Sequence, residues 1–187
     1  FGGTSLENID RFAAASEIIK KNLNGDSKLI VVVSAMAGHT NKIISQITNF
    51  AGTYNLHDKE YDVALHTGEI LSASLMASYL TSIGIKAQSV CGWQVPIITD
   101  DNFSKAQIID MKKDLLLSLL NQNIIPIVTG FQGITRNYEI TTLGRSGSDT
   151  SAAYLAYIFG AKICDIYTDV EGVYSADPRI IKNAKQI

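Results

Sequence analysis

The residues best suited to chemistry lie in one short stretch, residues 141–149, which read TTLGRSGSD. Arg145 stands between two glycines, Ser148 and Asp149 follow it, and a helix-like run begins directly afterwards. An arginine can bind a carboxylate or a phosphate through two parallel hydrogen bonds. An ordinary turn with an aspartate helix cap would explain Asp149, but it leaves Arg145 without a role. The stretch is therefore a candidate anion site.

A candidate carboxylate, Glu69, follows Gly68 at the predicted start of another helix. The positive end of a helix dipole favours an acidic side chain at such a position. A solvated glutamate in the first helical turn is the simpler interpretation when the residue is considered alone. A glutamate that faces a ligand could instead hold an ammonium group, and the sequence leaves both interpretations open.

Two loops of small residues could approach a ligand closely. FGGTS places Gly2 and Gly3 ahead of a predicted helix start, where free backbone N–H groups favour a phosphate. Turn glycines before a capped helix are the commoner explanation of such a stretch. VVVSAMAGHT runs from a strand into a loop in which Ser34 and Thr40 are possible hydrogen-bond donors.

A third group of polar residues follows the last predicted strand, in YTDVEGVYSADPR at 167–179. It contains Asp169, the flat ring of Tyr174 and the cation Arg179. Adenine stacking and phosphate contact use these residue types. A surface hairpin with a turn at its Asp-Pro pair is the alternative.

The composition of the chain excludes several classes of protein. The chain has 187 residues and 46% apolar content, which is enough for one domain with a core. Its net charge is −2, and it has no basic stripe that would indicate nucleic-acid binding. Its two cysteines favour a reduced, cytoplasmic setting, and its apolar runs are too short for a membrane span. The three histidines lack metal-ligand spacing, and no P-loop, dinucleotide or protein-kinase motif is present.

Helical periodicity and apolar runs alternate along the chain. Strands are predicted at 28–34, 85–91, 95–99, 124–130 and 161–168. Helices are predicted from Thr4, with Thr4 and Glu7 as a capping box, and at 41–51, 67–83, 106–121 and 150–159. This alternation predicts one domain with a parallel-dominated sheet covered by helices on both faces. Ligands of such sheets bind beyond the C-terminal strand ends, and the candidate residues fall at that edge.

Several segments, taken in order, resemble the aspartate kinases of the amino-acid kinase family. They are FGGTS, VVVSAMAGHTN, TGE, CGWQ, TGFQG, TTLGRSGSDTSAAYLA and YTDVEGVYSADPR. The pairing of GRSGSD with TDVEGVYSADPR is highly specific, and TGFQG with GWQ is more similar to the lysine-pathway bacterial enzymes. The resemblance implies an αβα three-layer sandwich around a mostly parallel open sheet, in agreement with the alternation of helices and strands.

The same resemblance implies a reaction, in which the γ-phosphoryl group of MgATP passes to the β-carboxylate of L-aspartate. This is the first step towards lysine, threonine and methionine. It implies that Arg145 binds the α-carboxylate, that Glu69 binds the α-ammonium group and that Asp149 organises a catalytic lysine. It also implies that Ser34, Thr40 and Ser148 line the substrate side. The nucleotide side would be formed by Gly2, Gly3, Thr168, Asp169, Tyr174 and Arg179. Mg²⁺ would be bound through the ATP phosphates, with no protein metal site, and the complete protein would be a homodimer.

The chemistry accounts for this set of residues. A β-carboxylate with a pKa of about 4 is already ionised and needs no general base. Catalysis then consists of positioning and of neutralising charge between two anions. The nearest alternative enzyme is a kinase for glutamate or for a nucleotide monophosphate. The alternative from another class is a non-catalytic nucleotide- or amino-acid-binding module. The missing dinucleotide motif disfavours a dehydrogenase.

Three departures from the family pattern stand out. The family's lysine before Phe1 is absent, and Ser146 stands where many relatives have glycine. The family's later nucleotide-site lysine and its regulatory ACT domains would lie beyond Ile187. Because Phe1 is not an initiator methionine and FGGTSL begins in mid-pattern, we expect a catalytic-domain fragment, residues 1–187, truncated at both ends.

Overall fold

The computed structural model describes residues 1–23, 27–52, 59–169, 172, 183 and 185. A 3₁₀ turn, Gly3–Leu6, precedes six described helices: α1 (Ile9–Asn22), α2 (His39–Ala51), α3 (Lys59–Leu65), α4 (Thr67–Ser82), α5 (Asp114–Asn121) and α6 (Gly147–Phe159). The described strands are β1 (Val31–Val33), β2 (Ala87–Val90), β3 (Ile97–Thr99), β4 (Ile108–Met111), β5 (Ile125–Thr129), β6 (Gln132–Ile134) and β7 (Ile140–Thr142).

The strands form two sheets. The first has the order β1-β5-β2, and both of its pairings are parallel. The second has the order β4-β3-β6-β7, in which β3 and β6 are parallel and the two outer pairings are antiparallel. The predicted parallel sheet is confirmed in β1, β5 and β2. The strand predicted at 95–99 is instead β3 of the second sheet, in which two of the three pairings are antiparallel.

Helices cover both faces of the parallel sheet, as successive residues of β1 demonstrate. Val31 and Val33 pack into a core cluster with α1 and α4, whereas Val32 packs against a second cluster that includes residues of α5 and α6. Side chains of a strand point alternately to its two faces, so one buried strand serves both cores. The predicted αβα arrangement is confirmed.

The predicted capping box at Thr4 and Glu7 is wrong. The first α-helix begins at Ile9, and its N-cap is Asn8, whose side chain accepts a hydrogen bond from the Arg11 backbone N–H at 3.1 Å. The preceding residues are held by other segments, since the Ala37 N–H donates to the Gly3 carbonyl oxygen at 3.0 Å. This pairing keeps the opening stretch out of the helix.

Two further elements differ from the prediction. The helix predicted at 106–121 is divided into β4 and α5, because residues 108–111 pair with β3 despite their helical spacing. The strand predicted at 161–168 is absent from the described strands, and Ile163 is 75% exposed instead of buried. That segment contacts the start of the chain instead, where the Phe1 and Tyr167 rings stack with centroids 4.7 Å apart.

Within the described ranges, no helix has both the length and the apolar character that crossing a membrane requires.

Candidate active site

The loop after β1 lies against the opening glycines through backbone contacts. The Ser34 N–H donates to the Phe1 carbonyl oxygen at 3.0 Å. A Cβ atom on Gly3 would lie 2.6 Å from the Ala35 carbonyl oxygen, so a side chain at Gly3 would collide with the backbone. The two predicted loops are therefore neighbours, and glycine is what permits their contact.

Gly2 lies against residues 167 and 168, which begin the third predicted group of polar residues. The Gly2 N–H donates to the Tyr167 carbonyl oxygen at 2.8 Å. A Cβ atom on Gly2 would lie 3.8 Å from the Cα atom of Thr168. Thr168 and Asp169 are both exposed, and the Thr168 hydroxyl donates to the Asp169 carboxylate at 3.3 Å.

Glu69, in the first turn of α4, is buried rather than solvated. Its side chain is 3% exposed, and its Oε1 accepts a hydrogen bond from the Ala35 backbone N–H at 3.0 Å. Its Oε2 is buried and has no hydrogen-bond partner among the described residues. The interpretation of Glu69 as a solvated first-turn residue is wrong.

The surroundings of Glu69 disfavour its charge. Burial raises the pKa of its carboxyl group to about 7, although the backbone N–H of Ala35 acts in the opposite direction. A cation next to Oε2 would restore the ionised form and provide the missing partner. Gly68 allows this geometry, since a Cβ atom on it would lie 2.8 Å from the Ala35 Cβ atom.

The start of α6 lies on the C-terminal end of β5. A Cβ atom on Gly130 would come within 2.8 Å of three atoms of Ser148, and the Gly130 N–H donates to the Val33 carbonyl oxygen at 3.0 Å. Ser148 is thus placed where β1 and β5 both end, which is the edge at which parallel sheets bind ligands.

The Arg145 turn, residues 144–147, presents its polar side chains to solvent. Gly144 and Ser146 have φ values of 76° and 57°, and the Gly147 N–H donates to the Gly144 carbonyl oxygen at 3.1 Å. Arg145 and Asp149 are exposed. The helix begins at Gly147 instead of Thr150, so Asp149 lies inside the first turn and the helix-cap interpretation of Asp149 is wrong.

Asp149 faces the start of the chain. The Asp149 carboxylate lies close enough to the Phe1 nitrogen to interact with it electrostatically. The Phe1 nitrogen itself is hydrogen-bonded to the Val32 carbonyl oxygen at 2.8 Å. The carboxylate of α6 and the end of β1 therefore meet at the same edge of the sheet.

The remaining predicted residues are less constrained by the described contacts. Thr40 is the second residue of α2, half-buried, and follows the loop that carries Ala35. Tyr174 and Arg179 lie outside the described residues, so their placement stays a prediction. Among the described residues, no group of three or more His, Cys, Asp or Glu side chains is placed to hold a metal ion.

Sequence reasoning missed three residues near this edge. Phe131 adopts a φ of 67°, and its N–H bonds to the Ser151 hydroxyl at 3.1 Å. Gln132 is buried and donates to the His66 carbonyl oxygen at 3.1 Å. Asp62 is completely buried in α3. Phe131 and Gln132 lie in TGFQG, which was noted without a role, whereas nothing in the sequence around Asp62 distinguishes it from a surface helix residue.

Comparison with known proteins identifies relatives of the whole chain. The profile of the amino acid kinase family matches residues 1–187. An aspartokinase of Rickettsia felis is 52% identical over 188 residues, which are 100% of this chain and 47% of that protein. The chain spans about half the length of the curated relatives it matches.

Solved structures agree with this result. Escherichia coli aspartokinase III in complex with aspartate and ADP aligns with a TM-score of 0.82 at 27% identity, covering 100% of this chain and 52% of that one. An aspartate kinase from Synechocystis aligns with a TM-score of 0.76 at 37% identity, covering 99% of this chain and 30% of that one.

Proposed function

The chain belongs to the amino acid kinase family, and from this premise we propose that it is the catalytic domain of an aspartate kinase. The reaction is transfer of the γ-phosphoryl group of ATP to the β-carboxylate of L-aspartate. The relatives support this proposal, because those compared are aspartokinases along the full length of the chain. The remaining half of such a protein would carry the regulatory ACT domains.

The observation that carries the proposal is the buried, unpaired oxygen of Glu69. A carboxyl group with a pKa of about 7 and a buried oxygen without a partner is costly to the ligand-free protein. The α-ammonium group of an amino acid supplies a positive charge and hydrogen-bond donors together. A nucleotide monophosphate would bring no such ammonium group, and this favours an amino acid as the acceptor.

The opposite end of the amino acid would be bound by Arg145. Its guanidinium group can hold a carboxylate through two parallel hydrogen bonds, and its exposure leaves it free to turn towards a ligand. Ser148, placed against Gly130, and the loop with Ser34 and Thr40 would line the same substrate side.

Phosphoryl transfer needs positive charge more than it needs a base. In the proposed arrangement, Asp149 would orient the lysine that the family pattern has directly before the phenylalanine, and the carboxylate lies near the Phe1 nitrogen. Backbone N–H groups near Gly2 and Gly3 would approach the phosphates. Thr168, Asp169, Tyr174 and Arg179 would lie along the nucleotide. Mg²⁺, bound through the ATP phosphates, would neutralise charge on the transferred group.

Partners and setting follow from the same proposal. We expect L-aspartate and ATP as the ligands and a homodimer for the complete protein. The described cysteines, Cys91 and Cys164, are free thiols, which suits a reduced, cytoplasmic setting.

The test is product formation by the full-length protein that contains these residues. With ATP, Mg²⁺, L-aspartate and hydroxylamine, it should release ADP and form aspartyl hydroxamate. Glutamate and nucleotide monophosphates serve as competing acceptors. A protein that phosphorylates one of these acceptors and forms no aspartyl hydroxamate would be a different member of the family, and a protein that binds ATP without turnover would be a binding module.

A further inference from the structure

A buried carboxylate outside the candidate substrate contacts, Asp62, is fully provided with hydrogen-bond donors. Its Oδ2 accepts from the backbone N–H groups of Ser104 at 2.9 Å and Thr142 at 2.7 Å. Its Oδ1 accepts from the hydroxyl groups of the same two residues, at 3.0 Å and 2.8 Å. Burying a carboxylate is costly unless it is hydrogen-bonded, so this network holds three segments of the chain in one arrangement.

Both partners of Asp62 support the Arg145 turn. Thr142 ends β7, directly before Leu143 and the turn. The Ser104 carbonyl oxygen lies beneath the turn, 3.1 Å from where a Cβ atom on Gly144 would be. Ser104 has a φ of 66°, a left-handed conformation that residues other than glycine rarely adopt. The two bonds to Asp62 retain that conformation.

The helix that carries Asp62 leads to the other half of the site. The Asp62 carbonyl oxygen accepts a hydrogen bond from the His66 N–H at 3.1 Å, and the His66 carbonyl oxygen accepts one from the Gln132 side chain. α4 begins at the next residue and carries Glu69 in its first turn. One continuous segment, α3 to the start of α4, therefore connects the Arg145 turn to Glu69.

We propose that Asp62 is a positioning residue that sets the separation between the Arg145 turn and Glu69. These two groups would hold the α-carboxylate and the α-ammonium group of one substrate, so the proposal rests on the proposed function. Asp62 is buried and fully bonded to protein, and it acts through the turn rather than on the substrate. Its effect should therefore fall on the binding of the amino acid and not on the transfer step.

The geometry requires the shape of the Asp62 side chain more than its charge. Both backbone N–H groups bond to one oxygen, and both hydroxyl groups bond to the other. In Asp62→Asn, the amide oxygen can accept from the two N–H groups, and the amide nitrogen can donate to the two hydroxyl oxygens. Asparagine thus preserves the connection, whereas alanine leaves buried backbone donors without partners.

The experiment measures kcat and KM of the full-length protein with aspartate and with ATP. Asp62→Ala should raise the KM for aspartate about tenfold or more while changing kcat and the KM for ATP much less, since uniform binding is lost. Asp62→Asn should restore the KM to within about threefold of wild type. Glu60→Ala is the matched control, because Glu60 is an exposed carboxylate on the same helix, and its KM should not change.

Other outcomes would overturn the proposal. A folded Asp62→Ala protein with a lowered melting temperature and an unchanged KM would show a purely structural role. An Asp62→Asn protein as impaired as Asp62→Ala would show that the charge of the carboxylate, and not the hydrogen-bond geometry, carries the effect, and would reject the positioning role. If Asp62→Ala does not fold, Thr142→Val should still raise the KM for aspartate about threefold, against Thr81→Val in α4 as control, and an unchanged KM would reject positioning.

The failure of this proposal differs from the failure of the proposed function. If the wild-type protein forms no aspartyl hydroxamate, the proposed function fails and the role of Asp62 falls with it. If the wild-type protein is active and the Asp62 and Thr142 variants keep its KM, only the positioning role is rejected.

Discussion

Glu69 and the Arg145 turn differ in how far the protein fixes them before any ligand binds. Glu69 is buried at the start of α4, held by the Ala35 N–H, and left with one unpaired oxygen. Arg145, on its turn, and Asp149, in the first turn of α6, are both exposed, and neighbouring residues hold the backbone of the turn but not these side chains. Under the proposed function, Glu69 would be a preformed ammonium site, and the Arg145 turn would be an anion site whose side chains are arranged as ligands bind.

The largest expected effect comes from replacing Asp149, one of the two exposed residues. Asp149→Ala in the full-length protein should lower kcat by roughly 10³-fold, because a misoriented lysine stabilises the transition state poorly. The KM for aspartate should change little. Steady-state kinetics with both substrates measure the effect. A normal kcat with a raised KM for aspartate would make Asp149 a binding residue, and the exposed residues would then have no catalytic role.

The next effect concerns the buried residue Glu69, which should make the free energy of unfolding depend on pH. The pKa of Glu69 is about 7 in the folded protein, above its ordinary value of 4.5. Between these values the folded state keeps a proton that the unfolded state has lost. The free energy of unfolding of the ligand-free protein should therefore fall as the pH rises through this window, by roughly 3 kcal/mol from this residue, and stay level above it.

Urea unfolding of wild type and Glu69→Gln at pH 5 and pH 8 isolates this contribution. The variant should lack the Glu69 part of the slope, so the difference between the two proteins should depend on pH. Parallel slopes in the two proteins would show that Glu69 stays ionised, and the preformed site would then need another explanation.

A smaller effect is expected from Arg145→Lys. An ammonium group cannot reproduce two parallel hydrogen bonds to a carboxylate, so the KM for aspartate should rise about tenfold. Because Arg145 is exposed, the melting temperature should not change. A kinetic assay beside a thermal melt checks both expectations. A drop in melting temperature without a change in KM would mean that Arg145 serves the fold and not the substrate.

The smallest effect is expected from Ser146→Gly in the Arg145 turn. Glycine adopts the observed φ of 57° without strain, so the variant should be about 0.5 kcal/mol more stable. Ser74→Gly, at an exposed position inside α4, is the control and should be about 1 kcal/mol less stable. Chemical unfolding measures both. Equal losses in the two variants would show that the turn is not held in the left-handed conformation.

The fold was largely predictable because its buried strands are short apolar runs between amphipathic helices. Periodicity failed where pairing with distant residues decided the structure. Residues 108–111 have helical spacing but complete a sheet through β3. Thr4 has capping-box spacing, yet the backbone of Gly3 is engaged by Ala37. Local propensity cannot report such contacts.

The roles of the predicted site residues stay predictions, and the sequence did not indicate how deeply each of these residues is buried. Glu69 was predicted at the start of a helix, but the sequence alone could not distinguish a solvated Glu69 from a buried one. Asp62 was missed altogether, because its buried hydrogen bonds are made with Ser104 and Thr142, which are distant in the chain. Its helix gives no signal of this connection.

The central claim is that the unpaired oxygen of Glu69 holds the ammonium group of the substrate. The direct measurement is kcat/KM for aspartate and for succinate, which lacks that group, in wild type and in Glu69→Gln. Wild type should prefer aspartate by about 10⁴-fold, since succinate leaves a buried carboxylate unpaired. Glu69→Gln should impair aspartate far more than succinate and so reduce the preference. If the substitution lowers both values by the same factor, Glu69 does not bind the ammonium group and the claim is contradicted.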